Sequence, residues 1–430
     1  MVPAATRPSL SVPGGALFGT AISAVVLLLL TISGLALTEL GWNYGTAGGS
    51  ALEKMHPATL LAVVLLILSA ATRGNPLTAL IRTLEAHPGI IIYLIGILVL
   101  MAHAVFVAGL PFTVFIDTFV LPAIMFLLLS DISDEQRRNL ALLVHALFAI
   151  NALVGLAEFS SGFRLTPLYV EGELLEAEWR SSALLGHPLA NAILTGCYMI
   201  LLVKGGARDL PRLLRPLAFV LATAGMVVFG GRAATAFMIM ALLALMLKRT
   251  AGILRGDRFD TRSLLTGLMM VPVIAIAIIV LQQGGFFDQF LNRILDDEGS
   301  ASTRVEMFEL FKHLNWYDFL LGPDPRQIAT LMAQYGLLYG IESFWIAMML
   351  LHGVIVSFLF FIALYLFCRE VVMSAGSGAF IVFIYFFAVA STSVSLAAKS
   401  PVFAIMVMLT FLLGDRSALE TQSHPRWAPA

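Results

Sequence analysis

The chain is poor in charge and in cysteine, and each shortage excludes something. Only 12% of its 430 residues are Asp, Glu, Lys or Arg, against 59% hydrophobic. A soluble domain carries about 25% charged residues. This much apolar surface cannot be hidden in a protein core, so lipid is the expected solvent for most of it. The two cysteines, Cys197 and Cys368, both lie in or at the end of apolar runs. They leave no disulfide framework and no cysteine-based zinc site. Walker A, GxGxxG, HExxH and EF-hand patterns are also missing, which argues against a nucleotide-driven pump and a zinc protease. No internal repeat or low-complexity tract is present.

What the chain does have is apolar runs. A helix needs about 20 such residues to cross a bilayer. Candidate spans lie near 16–37, 57–72, 89–109, 112–130, 139–158, 184–203, 213–229, 233–247, 264–283, 341–367, 378–396 and 401–414. The expected fold class is an all-α polytopic membrane protein of about twelve transmembrane helices. Residues 1–283 hold the N-terminal spans, 284–340 one large polar loop, 341–414 the C-terminal spans and 415–430 a polar tail. The first apolar run is too long for a cleaved signal segment and reads as a span that stays.

Sidedness follows from lysine and arginine. With both termini cytoplasmic, most basic residues fall inside, among them Arg73, Arg137, Arg138, Lys204, Arg208, Arg212 and Arg215. The loop 284–340 then faces outward. So do an acidic loop, Phe159 to Ser182, and a tight hairpin, Gly230-Gly231-Arg232. In the large loop, Thr303-Arg304-Val305-Glu306 reads as a capping box. Val305, Phe308, Phe311 and Leu314 recur behind it, with Met307 and Leu310 beside them. That spacing predicts a short amphipathic helix on the membrane surface, ending near Asn315. Gly322-Pro323-Asp324-Pro325 reads as a rigid turn.

Arg180, Arg232 and Arg304 all fall near the outer surface on this topology. An arginine at such a depth is costly without a partner. Guanidinium grips phosphate oxygens in a bidentate fork, so three near one level point to an anionic ligand. Each also has a plain structural reading. Arg180 can pair with Glu171, Glu173, Glu176 or Glu178, Arg232 can cap a hairpin, and Arg304 can be a first-turn charge on an exposed helix. His187, one or two turns into a span, is a hydrogen-bond donor to sugar or phosphate, or else a helix-start histidine bonded to backbone. Glu342, opening the span after the loop, is a general base, or else a carboxylate favoured by the helix dipole. His103, His145 and His352 read as core packing. Asp296-Asp297-Glu298 reads as a solvated turn, so no metal site is expected. Asp117 and Glu158 are the acids placed near span interiors.

With these residues in hand, the chain resembles the O-antigen ligase and O-antigen polymerase superfamily. The resemblance lies in Trp179-Arg180 through Gly186-His187-Pro188-Leu189, in Gly230-Gly231-Arg232-Ala233, and in Ser302-Thr303-Arg304 with its helix, in that order and on one side. It implies a GT-C-like glycosyltransferase of the bacterial inner membrane, acting on undecaprenyl-diphosphate-linked glycans at the periplasmic face, inverting, without metal or cofactor. It further implies Arg180, Arg232 and Arg304 as diphosphate ligands, with Glu342 or His187 as base. Partners would be the lipid-linked glycan and membrane lipid, with room for a chain-length regulator among other polysaccharide assembly proteins; no nucleic acid is expected. The ligases often carry a His-Asn pair where the long loop re-enters the membrane. Here that place holds Glu342-Ser343, which resembles the exopolysaccharide polymerase branch instead. The rival reading is a transporter or flippase of lipid-linked oligosaccharide.

Overall fold

The computed structural model describes residues 15–45, 48–167, 169–170, 173–174, 180–256, 282, 306–337, 340–376, 378–394 and 396–415. In chain order the helices are α1 (Gly15–Thr31), α2 (Gly34–Glu39), α3 (Pro57–Ala71), α4 (Pro76–Glu85), α5 (Pro88–Phe106), α6 (Thr113–Ser130) and α7 (Asp134–Ser161). They continue as α8 (Pro188–Gly206), α9 (Leu214–Val228), α10 (Arg232–Leu254), α11 (Trp316–Leu321), α12 (Pro325–Gln334), α13 (Phe344–Ala375), α14 (Ala379–Ala390) and α15 (Val402–Leu413). Among the described residues the only strands are β1 (Tyr169–Val170) and β2 (Glu173–Leu174), a two-residue antiparallel ladder in the acidic loop.

Among the described residues six helices are long and apolar enough to cross a bilayer: α5, α6, α7, α8, α10 and α13. α3 and α4 qualify only as a pair bent by 102°, and α1, α9, α14 and α15 are shorter apolar helices. The chain is a polytopic helical membrane protein, but its dozen or so apolar runs do not become as many full-length helices. The run 264–283, residue 282 apart, lies outside the described residues. α15 lies in the core of the molecule. Every residue of it is buried, as are Leu121–Leu129 of α6 and Asn191–Leu201 of α8. A helix apolar all round is a core helix. α10 is the opposite case: only Ala234 and Met238 are buried, and Ile239, Met240, Leu243 and Leu247 face outward.

Close packing follows small residues, as it does between helices in lipid. A Cβ on Gly96 of α5 would overlap Ala363 of α13. One turn earlier Tyr93 stacks on Phe367 with ring centroids 4.3 Å apart. A further step along, His87 Nδ1 meets Glu370 at 2.9 Å.

Such contacts sort the helix termini into two ends. Gly206 abuts Leu413, Gly378 abuts Lys204, and Gly414 abuts Ala375, so the C-termini of α8, α13 and α15 share one end with the start of α14. Arg73–Asp131 at 2.9 Å and Arg208–Asp415 at 2.7 Å sit there too. At the other end Gly186 abuts Ser33, Gly231 abuts Ala192, and Trp345 Nε1 donates to Ser391 Oγ at 2.7 Å.

Three local features differ from the sequence reading. The short apolar run 57–72 continues into α4, with Asn75 accepting from the Leu77 and Thr78 amides and Pro76 at the first position. This Asn-Pro start is a helix signal, and α4 turns away from the span with Leu77 and Ile81 exposed. Next, the loop 284–340 holds more than one helix. Residues 306–309 are helical, then pass into a 3₁₀ turn, Leu310–His313; α11 and α12 follow, capped by Asn315 and Asp324. The segment does not lie free on a surface. Met307 and Leu310 join Ile328, Leu331, Leu337, Ile341, Ile346, Ala347 and Leu350 in a second apolar cluster against the start of α13, and Phe308 is turned outward. Of the turn expected over Gly322–Pro325, Gly322 ends α11 with φ 96° and Asp324 caps α12, which already includes Pro325.

Third, α13 is interrupted at Gly353, with φ 73°. α11 fills the break. A Cβ on Gly353 would overlap the backbone of Leu320–Gly322, and Gly322, φ 96°, abuts the backbone of His352 and Gly353. His103 donates from Nε2 to Leu321 O at 2.6 Å, tying α5 to the wedge. Both the left-handed backbone and the close approach demand glycine here. Gly353→Ala should therefore cost about 3 kcal/mol or more. Gly109→Ala, at φ 64° with nothing within 4 Å, should cost about 1–2 kcal/mol. Thermal unfolding in detergent checks the difference, and equal losses would remove the wedge.

Candidate functional site

The end that carries Gly186 and Ser391 gathers four of the five residues singled out in the sequence. Arg180 opens the segment that returns from the acidic loop, and the next amide, Ser181 N, donates to Val228 O at 3.0 Å. Val228 ends α9. After the turn through Gly230, φ 60°, Arg232 begins α10. Arg180 and Arg232, both half-buried, are thus held on either side of one turn. His187 is the N-cap of α8 rather than a residue within it. Its Nδ1 accepts the Leu189 amide at 3.2 Å while the ring stays exposed. Pro188 follows at the first helical position, and a proline restricts the residue before it to extended backbone. That restriction keeps His187 out of the helix, which begins at Pro188, four residues after the start of the apolar run.

Glu342 also sits before its helix. Ser343 is the N-cap of α13, and Glu342 lies half-buried between Ile341, in the second apolar cluster, and Trp345, which reaches Ser391. Arg304 and its capping box lie outside the described residues, save Glu306. The helical turn that follows Arg304, 306–309, packs through Met307 onto the first turns of α13, near Glu342 along the chain.

The segment Ser181–His187 is irregular backbone buried inside a membrane protein. Such backbone is tolerated only when its groups are paired within the protein. Glu158 Oε1 accepts the Leu165 amide at 2.8 Å, and Oε2 accepts Ser182 and Ala183 amides at 2.8 and 2.9 Å. Asn151 Oδ1 accepts the Leu184 amide at 3.0 Å. Its Nδ2 donates to Asn191 Oδ1 at 2.8 Å, and Asn191 in turn donates to Ser182 O and His187 O. Ala183 takes φ 42°, the one positive φ outside glycine among the described residues. A conformation costing about 1–2 kcal/mol persists where its surroundings over-determine it. Two buried hydroxyl oxygens, Ser182 Oγ and Thr235 Oγ1, have no hydrogen-bond partner among the described residues. One follows Arg180 by two positions and the other follows Arg232 by three.

A second polar centre at this end was not anticipated from sequence beyond the presence of Asp117. Residues Ile116–Val120 of α6 form a π turn that turns Asp117 fully inward. Its carboxylate accepts Tyr44 OH at 2.9 Å, Thr59 Oγ1 at 2.6 Å and the His56 amide at 3.1 Å. His56 accepts the Ala58 amide on Nδ1 and donates from Nε2 to Ile32 O at 2.8 Å. Burial lowers its pKa, consistent with that neutral tautomer. Lys399 donates to the carbonyls of Tyr44 and Lys54 and lies 3.7 Å over the Tyr44 ring. Every polar atom so described is already engaged, so this centre acts as a latch between the stretch joining α2 to α3 and the chain before α15. Because Ser33 follows Ile32 and abuts Gly186, the latch is continuous with the His187 segment. Among the described residues no three His, Cys, Asp or Glu side chains stand close enough to share a metal ion.

Neither a family model nor a curated protein matches this sequence. The likeness to the ligase and polymerase superfamily therefore rests on residue order and sidedness.

Burial pushes the Lys399 ammonium down to about 8, with Asp117 opposing and Lys54 adding to the fall. The unfolded side chain keeps its proton up to its ordinary 10.5. Across that window the unfolded chain binds more protons, so wild-type stability rises with pH there. The Tm of the wild type in detergent should gain on Lys399→Met from about pH 8 upward and keep a constant offset below. A flat difference throughout would show that the ammonium is not desolvated.

Proposed function

We propose that this chain is a glycosyltransferase that joins undecaprenyl-diphosphate-linked glycan units at the periplasmic face of a bacterial inner membrane, with both termini cytoplasmic. The observation that carries the reading is the backbone bond from Ser181 to Val228, which sets the chain after Arg180 beside the turn that leads to Arg232, on backbone held by buried hydrogen bonds. Beside them lie two buried hydroxyls, Ser182 and Thr235, without partners among the described residues. Rigid donors with spare capacity near two guanidinium groups suit a diphosphate bearing a sugar.

In this reading an acceptor hydroxyl attacks C1 of the donor sugar from the face opposite the leaving group. The C1–O bond to the diphosphate breaks, and undecaprenyl diphosphate departs with the electron pair. Arg180, Arg232 and Arg304 stabilise the charge that builds on the bridging and phosphate oxygens. Preorganised donors in a poorly hydrated site are a large catalytic contribution, each worth on the order of 3 kcal/mol. The base is Glu342 rather than His187. A histidine whose Nδ1 accepts a backbone amide carries its proton on Nε2, and that form donates hydrogen bonds; it accepts a further proton only by giving up the cap. His187 is then a donor to substrate oxygen. The reaction inverts the anomeric carbon, and positively charged side chains replace a metal in balancing the diphosphate.

A flippase of the same lipid-linked substrate is favoured by one observation, the interruption of α13 at Gly353, since broken helices mark many transporters. The buried acids give it no support. Asp117 and Glu158 are each engaged by three hydrogen-bond donors.

Reconstitution with a lipid-diphosphate repeat unit decides between them. Lengthening with release of undecaprenyl diphosphate is expected; translocation without lengthening would replace the transferase by a flippase. Arg180→Ala, Arg232→Ala and Arg304→Ala should each cut turnover by about a hundredfold and leave the protein folded. Lysine should rescue poorly, since a point charge lacks the fork. Glu342→Gln should fall at least as far, and wild-type activity in that variant would remove Glu342 as base.

A further inference from the structure

Glu158 stands in the last turn of α7, 5% exposed, and is the meeting point of two stretches of chain far apart in sequence. Leu165 is on the way out into the acidic loop; Ser182 and Ala183 are on the way back. One carboxylate thus closes the neck of the excursion that carries Arg180. The same face of α7 reads the returning backbone in register: Gly155 O accepts Ser181 Oγ at 2.6 Å, and Asn151 Oδ1 accepts the Leu184 amide. The far side of the segment is tied by Ser181 N to Val228 O, next to the turn that presents Arg232. The spacing between Arg180 and Arg232 therefore depends on two anchors, α7 through Glu158 and α9 through Val228.

The chemistry of the anchor is specific. A carboxylate accepts on both oxygens, whereas glutamine offers one acceptor and one NH2 donor. Whichever way the side-chain amide of a Glu158→Gln variant turned, its NH2 group would face a backbone N–H. Either Leu165 or the Ser182–Ala183 pair would be left unsatisfied. Turned towards Ser182 and Ala183, the NH2 group would leave two buried amides unsatisfied, which is costly; turned towards the exposed Leu165, it would release the outgoing chain, so the neck loosens either way.

We propose that Glu158 is a positioning residue: it sets the placement of Arg180 and His187 against Arg232, and it acts on the reaction through Arg180. The proposal rests on the transferase reading for its consequence in catalysis, but the placement itself is testable without any reaction. Nitroxide labels on Arg180→Cys and Arg232→Cys in one chain, in lipid nanodiscs, should give one narrow distance distribution by pulsed electron resonance. Adding Glu158→Gln should broaden or split it; Glu158→Asp, which keeps both acceptor oxygens on a shorter arm, should broaden it less and serves if the glutamine variant does not fold. An unchanged narrow distribution in the variants overturns the proposal. In the reconstituted reaction Glu158→Gln should lower kcat about tenfold or more with a smaller change in KM, and Arg180→Ala with Glu158→Gln should be no slower than Arg180→Ala alone. Independent, multiplying losses would assign Glu158 a general structural role and also overturn it. If the labels separate but the parent protein never lengthens a lipid-diphosphate glycan, the positioning stands and the transferase reading falls.

Discussion

Among the described residues, the buried departures from plain helix answer to one constraint: inside a membrane a backbone N–H or C=O has no water to fall back on. Where the chain leaves the helical ladder at depth, a side chain or another stretch of backbone takes its place. Glu158, Asn151 and Asn191 do so for Ser181–His187. α11 lies against the break at Gly353, with His103 holding the carbonyl of Leu321. Asp117, carried by a π turn, receives the His56 amide where α3 begins. These devices lie at the same end of the molecule, and it is the end where Arg180 and Arg232 sit.

That coincidence has a functional logic. A site for a charged headgroup at the membrane rim needs cations and donors whose geometry does not relax into a bilayer interface. Helix ends alone supply loose geometry. A buried carboxylate closing a loop, a strained alanine and a proline-restricted cap supply tight geometry, at a cost in backbone strain that the hydrogen bonds offset. The core helices α6, α8 and α15 form the packed body against which these pieces are set, and α10, which begins at Arg232, turns most of its apolar side chains outward. The packing of 306–337 onto the start of α13 through Met307, Leu310, Ile328 and Leu331 makes that loop part of the same end, so Glu342 and the chain after Arg304 belong to one packed unit.

Much of this was legible in the residues. The apolar runs located most helices within a few positions, because burial and lipid exposure both demand apolar side chains. The hairpin at Gly230-Gly231-Arg232 and the turn at Gly322 were readable from glycine. What was not readable has specific causes. α4 escapes a hydropathy reading because it is short and amphipathic, with Arg82, Thr83 and Glu85 among its apolar residues. α12 escapes it because Asp324-Pro325 reads as the end of a turn when it is the cap and first residue of a helix. His187 was placed inside α8 because apolar residues precede it, and hydropathy does not see the restriction that Pro188 imposes. Within the apolar spacing of 305–314 only tertiary packing decides that Met307 and Leu310 are buried in the protein and Phe308 faces outward.

By itself the sequence determined the solvent of this protein, the approximate position of its helices, and which cations stand apart from the basic majority. Composition and periodicity carry those, since each is a sum over many residues. Only the tertiary structure decided what holds the cations in place. Glu158 meets Leu165, Ser182 and Ala183, and Asp117 meets Tyr44, His56 and Thr59, across separations in sequence that no local pattern encodes. A buried acid in an apolar run reads alike whether it relays protons or pins a loop; the difference lies in the donors that surround it.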